Sequence, residues 1–186
     1  MSQLVVITGP IASGKSTVAR GLTEHCRNEG RSAVAVDLDD VVTMLRAPLD
    51  RFERSWQQAR KVHGEFVAAW LDAGVDVVIA HGPFYTDDET AALLGPVPAT
   101  ITPRRVMLLA SLETAVAGVT MDVSRKASRD PEFLRATHDR FQRLLPKIAA
   151  CEWVFDTATV SADHVVMTIG SAIDREGPRG SAICPP

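Results

Sequence analysis

Leu4-Val-Val-Ile-Thr8 runs directly into Gly9-Pro-Ile-Ala-Ser-Gly-Lys-Ser16, and Thr17-Val-Ala-Arg20 continues from it. The β-branched apolar run reads as a short strand. The middle segment has the pattern G-x-x-x-x-G-K-[ST], and the last reads as the opening of a helix. In that setting the glycines let the chain fold so tightly that successive N–H groups point inward at an anion. The helix start adds its partial positive charge. Lys15 is placed to reach the β- and γ-phosphates of a nucleotide, and the Ser16 hydroxyl to ligand Mg²⁺. Gly9, Ile11, Ala12, Ser13, Gly14, Lys15, Ser16 and Thr17 are therefore the expected nucleotide-binding residues.

The rest of the chain alternates strand and helix, which argues α/β with a five-stranded, mainly parallel sheet and helices on both faces. Strands are expected near Leu4–Thr8, Ser32–Asp37, Val75–Ala80, Arg105–Ala110 and Glu152–Phe155. The first helix runs from Lys15 to near Asn28. A short helix is expected near Asp40–Leu45 and a long one from Arg51 to Ala73, with Phe66, Ala69 and Trp70 on one face. Thr86-x-x-Glu89 has the form of a capping box. Ser111 caps the helix after strand four, Asp130-Pro131 opens the next, and Ser161 caps the last. Leu134, Phe141, Leu145 and Ile148 fall on one side of their helix.

With 186 residues, 46% of them hydrophobic and 23% charged, the chain suits a single domain. We expect that domain over residues 1–175, with an acceptor-binding insert near 40–73, a lid at 122–131 and a flexible tail at 176–186. A net charge of -3 gives no sign of a nucleic-acid or membrane partner. Cys26, Cys151 and Cys184 lack C-x-x-C spacing, as reduced cytoplasmic thiols do. The amino terminus enters a strand at once, with no signal-peptide pattern.

In an open α/β sheet the ligands sit beyond the carboxyl ends of the strands. Strand two delivers Asp37-Leu-Asp39-Asp40. If the chain stays extended through Leu38, Asp37 and Asp39 share a face. One would then support the metal and the other take the acceptor's proton, with Asp40 left to cap the next helix. Strand three delivers His81-Gly82-Pro-Phe84-Tyr85. His81 stands where many such proteins carry an acid, and it serves either the acceptor or local packing. Gly82, Phe84 and Tyr85 would line the acceptor pocket. The insert offers Arg54 among several arginines, a residue type suited to anions. Strand five delivers Asp156-Thr157.

The phosphate-binding loop, the D-x-D after strand two, the glycine after strand three and the basic segment Arg125-Lys126-Ala-Ser-Arg129 together resemble the small-molecule kinases of the nucleoside-monophosphate-kinase-like fold. Shikimate kinase, gluconate kinase and chloramphenicol phosphotransferase belong to this group. The resemblance implies a three-layer P-loop NTPase fold, ATP and Mg²⁺ as cofactors, and a small hydroxylated acceptor. It makes Arg125 and Arg129 lid residues that close on the phosphates, and Asp156 and Thr157 neighbours of the adenine. Likeness to chloramphenicol phosphotransferase makes Asp37 the general base and an antibiotic a natural acceptor. Likeness to shikimate kinase puts Asp37 beside the metal and Asp39 at the acceptor hydroxyl. Both assignments stand at this point. A coenzyme or nucleotide kinase and a non-catalytic nucleotide-binding regulator are the other readings, and a homo-oligomer is compatible with each. No guanine-recognition N-K-x-D motif is present, which disfavours a GTPase switch.

Overall fold

Strand β1 (Gln3–Thr8) lies at the centre of a five-stranded sheet ordered β2-β3-β1-β4-β5. The computed structural model describes residues 2–46, 52–121, 130–148 and 150–176. The other strands are β2 (Ala33–Asp37), β3 (Val77–His81), β4 (Arg104–Leu109) and β5 (Trp153–Asp156), and every pairing is parallel. The helices are α1 (Lys15–Asn28), α2 (Leu38–Met44), α3 (Phe52–Asp72), α4 (Asp87–Leu94), α5 (Leu112–Met121), α6 (Pro131–Leu144) and α7 (Ala162–Glu176).

Alternation along β1 divides the core in two. Val5 and Ile7 face Val18, Leu22, Val165 and Ile169 of α1 and α7. Leu4 and Val6 face Leu38 and Val41 of α2, Val67 and Leu71 of α3, and Leu93 of α4. A parallel sheet needs this double cover, because both faces of its strands are apolar. Truncating a fully buried side chain such as Leu22 or Ile169 to alanine should cost about 2–5 kcal/mol. No helix among the described residues is long and apolar enough to cross a membrane.

Local signals set several helix starts. Thr86 accepts from the Glu89 N–H and the Glu89 carboxylate accepts from the Thr86 N–H, completing the capping box of α4. Asp130 caps α6 through the N–H groups of Glu132 and Phe133, with Pro131 at its first position. Ser111 and Ser161 accept from the N–H groups of Thr114 and His164.

Two expectations are corrected. α2 begins at Leu38, so the chain leaves the extended state immediately after Asp37, and Asp37 rather than Asp40 caps the helix. Asp37 and Asp39 therefore do not alternate along one strand. α6 ends at Leu144, and Pro146 carries a 3-10 turn over Leu145–Lys147, so Leu145 and Ile148 reach their shared cluster with Phe141 from beyond the helix. Phe66, Ala69 and Trp70 share a face of α3 as expected, and that face is exposed; Ser55, Ala59, His63, Gly64, Val67, Ala68 and Leu71 are the buried residues. Small residues let α3 close on α4: a Cβ on Gly64 would lie 2.5 Å from the carbonyl oxygen of Ala92.

Candidate active site

The loop after β1 is tight for reasons of backbone space. A Cβ on Gly9 would fall 2.3 Å from the carbonyl oxygen of Leu108, so only glycine fits there. Ala12 adopts a left-handed conformation at φ 59° and Gly14 another at φ 86°, the first costing about 1 kcal/mol for a residue with a Cβ. Gly14 sits at the N-cap of α1 and offers no side chain to cover the helix start, which leaves those N–H groups for an anion. Ser13 is buried, and its Oγ has no hydrogen-bond partner among the described residues. Lys15 Nζ donates to the carbonyls of Gly9 at 2.9 Å and Pro10 at 2.7 Å.

β2 and β3 end side by side, with Asp37 paired to His81 in register. Asp37 Oδ1 accepts from the Asp39 N–H at 2.9 Å, and this cap turns Oδ2 toward the loop, where Ser16 Oγ donates to it at 3.4 Å. Burial raises the Asp37 carboxyl above its usual value, and the neighbouring Asp40 adds to this. The Asp39 N–H, Lys15 and Ser16 pull the other way. His81 Nδ1 lies 3.5 Å from Asp37 Oδ2. Burial, reinforced by Lys15, lowers the imidazole to about 4. The ring is thus neutral at ordinary pH and its approach to Asp37 is not an ion pair. Asp39 and Asp40 are exposed on the first turn of α2.

The residues present fit a nucleotide and a hard divalent cation. The glycine-walled loop, the uncapped helix start and the orphaned Ser13 hydroxyl suit phosphate oxygens. A hydroxyl facing a carboxylate suits Mg²⁺, which takes few protein ligands and fills its shell from phosphates and water. No cluster of three or more His, Cys, Asp or Glu among the described residues could hold a metal by itself.

Phe84 and Tyr85, expected to wall the acceptor pocket, are buried instead. Phe84 packs in the α2–α3 core, and its N–H donates to Thr8 Oγ1 at 3.1 Å. The Tyr85 hydroxyl donates to the Gly9 carbonyl at 2.7 Å, so its ring stands behind the phosphate-binding loop. A Cβ on Gly82 would meet that of Leu38 at 2.8 Å, so this glycine is spent on packing against α2. Asp156 and Thr157 close β5 in a turn. The Asp156 carboxylate accepts from Ala158 N–H, and Thr157 Oγ1 donates to the Leu109 carbonyl at 2.8 Å. Arg125 and Arg129 lie outside the described residues.

Sequence reasoning missed a buried hub. Glu89 Oε1 receives Arg60 Nη2 at 2.8 Å and Arg140 Nη2 at 2.7 Å. Its Oε2 receives the N–H groups of Tyr85 at 2.7 Å and Thr86 at 3.1 Å. Arg60 stacks on Trp56 and Arg140 on Tyr85. The capping box pointed to Glu89 as a local helix-starter; its long-range partners have no sequence signature. Beside the hub, Arg54, Gln57, Gln58, Lys61 and Asp88 help line a groove of about 520 Å³ between α3 and α4.

Residues 4–147 match the AAA domain family. The chain belongs to that family. Family membership fits the loop and strand order described above, and solved structures share the fold. Shikimate kinase from Acinetobacter baumannii superposes with a TM-score of 0.60 at 18% identity, over 93% of each chain. A sugar kinase from Janibacter sp. HTCC2649 gives 0.59 at 20% identity, over 94% of this chain and 95% of that one. The tunicamycin resistance protein of Deinococcus radiodurans gives 0.62 at 15% identity over the whole of both chains. The fold is that of the P-loop small-molecule kinases. No curated protein matches the chain in sequence.

Proposed function

We propose that the protein is an ATP- and Mg²⁺-dependent phosphotransferase that moves the γ-phosphoryl group to a hydroxyl of a small molecule. The observation that carries this reading is the meeting of Ser16 Oγ and Asp37 Oδ2 at 3.4 Å beside Lys15. A phosphate loop, a metal-side hydroxyl and a carboxylate are what phosphoryl transfer requires of a protein.

Lys15 exchanges its loop carbonyls for phosphate oxygens and neutralises charge there. Ser16 and Asp37 would hold the cation, which would supply neutralisation of the charge that develops on the transferring phosphate. The fixed direction of Asp37 Oδ2 supports the metal-side assignment for this residue. Asp39, on the exposed first turn of α2, then accepts the proton of the acceptor hydroxyl. His81 stays neutral against Asp37 and excludes water from that side. Arg125 and Arg129 close on the phosphates as lid residues, and Asp156 and Thr157 border the base. Arg54 and the other side chains of the α3–α4 groove are almost all polar, which supports a hydrophilic acceptor. The narrower form of the reading, an antibiotic as acceptor, rests on the resemblance to chloramphenicol phosphotransferase and on the fold shared with a tunicamycin resistance protein.

The test is release of ADP from Mg-ATP against antibiotics, sugars, shikimate, nucleosides and dephospho-coenzyme A. One acceptor should stimulate release and carry the phosphate on its hydroxyl, and Lys15→Ala should abolish the effect. Tight ATP binding with no acceptor-dependent release across a broad panel would favour a nucleotide-binding regulator instead.

A further inference from the structure

Gly9 opens the phosphate-binding loop at φ 152°, a conformation open to glycine, and it has no side chain to anchor it. Its place therefore depends on what holds its backbone. The Gly9 carbonyl accepts from two side chains, Lys15 Nζ at 2.9 Å and the Tyr85 hydroxyl at 2.7 Å. Under the nucleotide reading of the loop, on which this inference rests, Lys15 leaves that carbonyl for the phosphates. Of the two donors, Tyr85 is the one that stays.

Tyr85 is the chain's single tyrosine and is buried. Its aim is set from three sides. Its N–H donates to Glu89 Oε2 at 2.7 Å, which fixes the backbone just before α4. Phe141 of α6 meets the ring edge-on, with 5.2 Å between ring centres. The Arg140 guanidinium, from the same helix, lies over the ring at 5.4 Å from its centre. Arg140 also donates to Glu89 Oε1 at 2.7 Å. One carboxylate thus holds both the Tyr85 backbone and the cation stacked on the Tyr85 ring. An exposed ion pair ordinarily contributes little, but here the carboxylate is buried and the guanidinium rests on the phenol that reaches the loop. Tilting that ring moves its hydroxyl further than any other atom of the side chain, and a hydrogen bond weakens as its direction is lost.

We propose that Arg140 and Glu89 are positioning residues for nucleotide binding. Together they aim the Tyr85 hydroxyl at the Gly9 carbonyl and so keep the loop shaped for phosphate when Lys15 turns to the ligand. Neither residue belongs to the loop. Their contribution is preorganisation, because a loop already in shape gives up less freedom on binding.

Titration calorimetry of the full chain with Mg-ATP tests this, at a temperature below the onset of unfolding for each variant. Arg140→Met should weaken binding about threefold and Tyr85→Phe about fivefold, within the worth of one net hydrogen bond. The double variant should bind no more weakly than Tyr85→Phe alone, because Arg140 acts through the hydroxyl. Glu89→Gln keeps an acceptor for the Tyr85 N–H and loses the charge, and it should behave as Arg140→Met does. Arg104→Met is the control. It removes a comparable pair with Glu152 and stack on Trp153 at the amino end of β4, away from the loop, and should leave affinity unchanged. With the one tyrosine isotope-labelled at Cζ, Arg140→Met should move its magnetic resonance signal and Arg104→Met should not. Unchanged affinity in Arg140→Met, a loss that adds in full to that of Tyr85→Phe, or an unmoved Cζ signal would overturn the proposal alone. A wild type that does not bind Mg-ATP would overturn the nucleotide reading with it.

Discussion

The hydroxyl of Tyr85 donates to the carbonyl of Gly9 at 2.7 Å, so the residue that closes the β3 edge also fixes the first residue of the phosphate-binding loop. Burial pushes the phenol above its ordinary range, with Glu89 and Asp39 adding to the shift against Arg140. The group therefore stays a donor at any working pH. Tyr85→Phe keeps the ring and removes only this bond. It should cost about 1 kcal/mol of stability in chemical denaturation and weaken ATP binding several-fold by titration calorimetry. Full ATP affinity in the variant would show that the loop holds itself.

Glu89 is the buried carboxylate that pairs with the largely buried Arg60 and the more exposed Arg140, so its removal leaves Arg60 uncompensated. Burial already pulls the Arg60 guanidinium below its usual value, and Glu89 opposes that pull. Glu89→Ala should cost about 3 kcal/mol or more in urea unfolding. Adding Arg60→Met should recover part of the loss, because the stranded charge goes with it. Additive losses in the double variant would mean that the two residues are not coupled.

Asp37→Asn and Asp39→Asn separate the two carboxylate roles. With the acceptor in hand, Asp37→Asn should raise the Mg²⁺ concentration needed for half-maximal rate along with lowering kcat. Asp39→Asn should lower kcat by about 10²–10⁴, the usual worth of a general base, while leaving the Mg²⁺ requirement alone. The reverse pattern would return the base to Asp37.

Two buried imidazoles tie stability to pH. His63 Nε2 donates to the Val36 carbonyl at 2.9 Å, and burial lowers the ring to about 4, as it does for His81. Both are 6.5 as free side chains. Between pH 6.5 and 4 the unfolded chain binds protons that the folded chain refuses, so stability falls on acidification. The contribution is complete above pH 6.5 and lost toward pH 4, on the order of 3 kcal/mol for each ring. Thermal melts from pH 7.5 to 4.5 should show a falling Tm, and His63→Gln should flatten the fall. A flat wild-type profile would mean that the folded state protonates these rings without penalty.

The backbone geometry of the loop after β1 could be read from sequence because it lies in contiguous residues. Gly9 to Ser16 carry their own geometry, and Asp37 ends the strand that lies beyond β3 in the sheet. The acceptor half of the proposed site could not. Whether Phe84 and Tyr85 face a pocket depends on how the chain turns after His81, and they turn inward to Thr8 and Gly9. The role of Asp37 as a cap was hidden because the strand gives way to helix without a linking residue. Hydrophobic spacing in α3 announced a helix with Phe66, Ala69 and Trp70 on one face, but not that this face is the exposed one. Close packing against α4 rewards glycine and alanine, which a hydrophobic count does not weigh.

The contact of Gly64 with Ala92 reaches beyond helix packing. Ala92 lines the groove, and Gly64 meets its carbonyl with no side chain between, so next to the groove the spacing of α3 and α4 is set by backbone and not by a rotamer. Under the proposed function that spacing gauges the girth of an acceptor, and Gly64→Ala should change which molecules act as acceptors more than how tightly they are held.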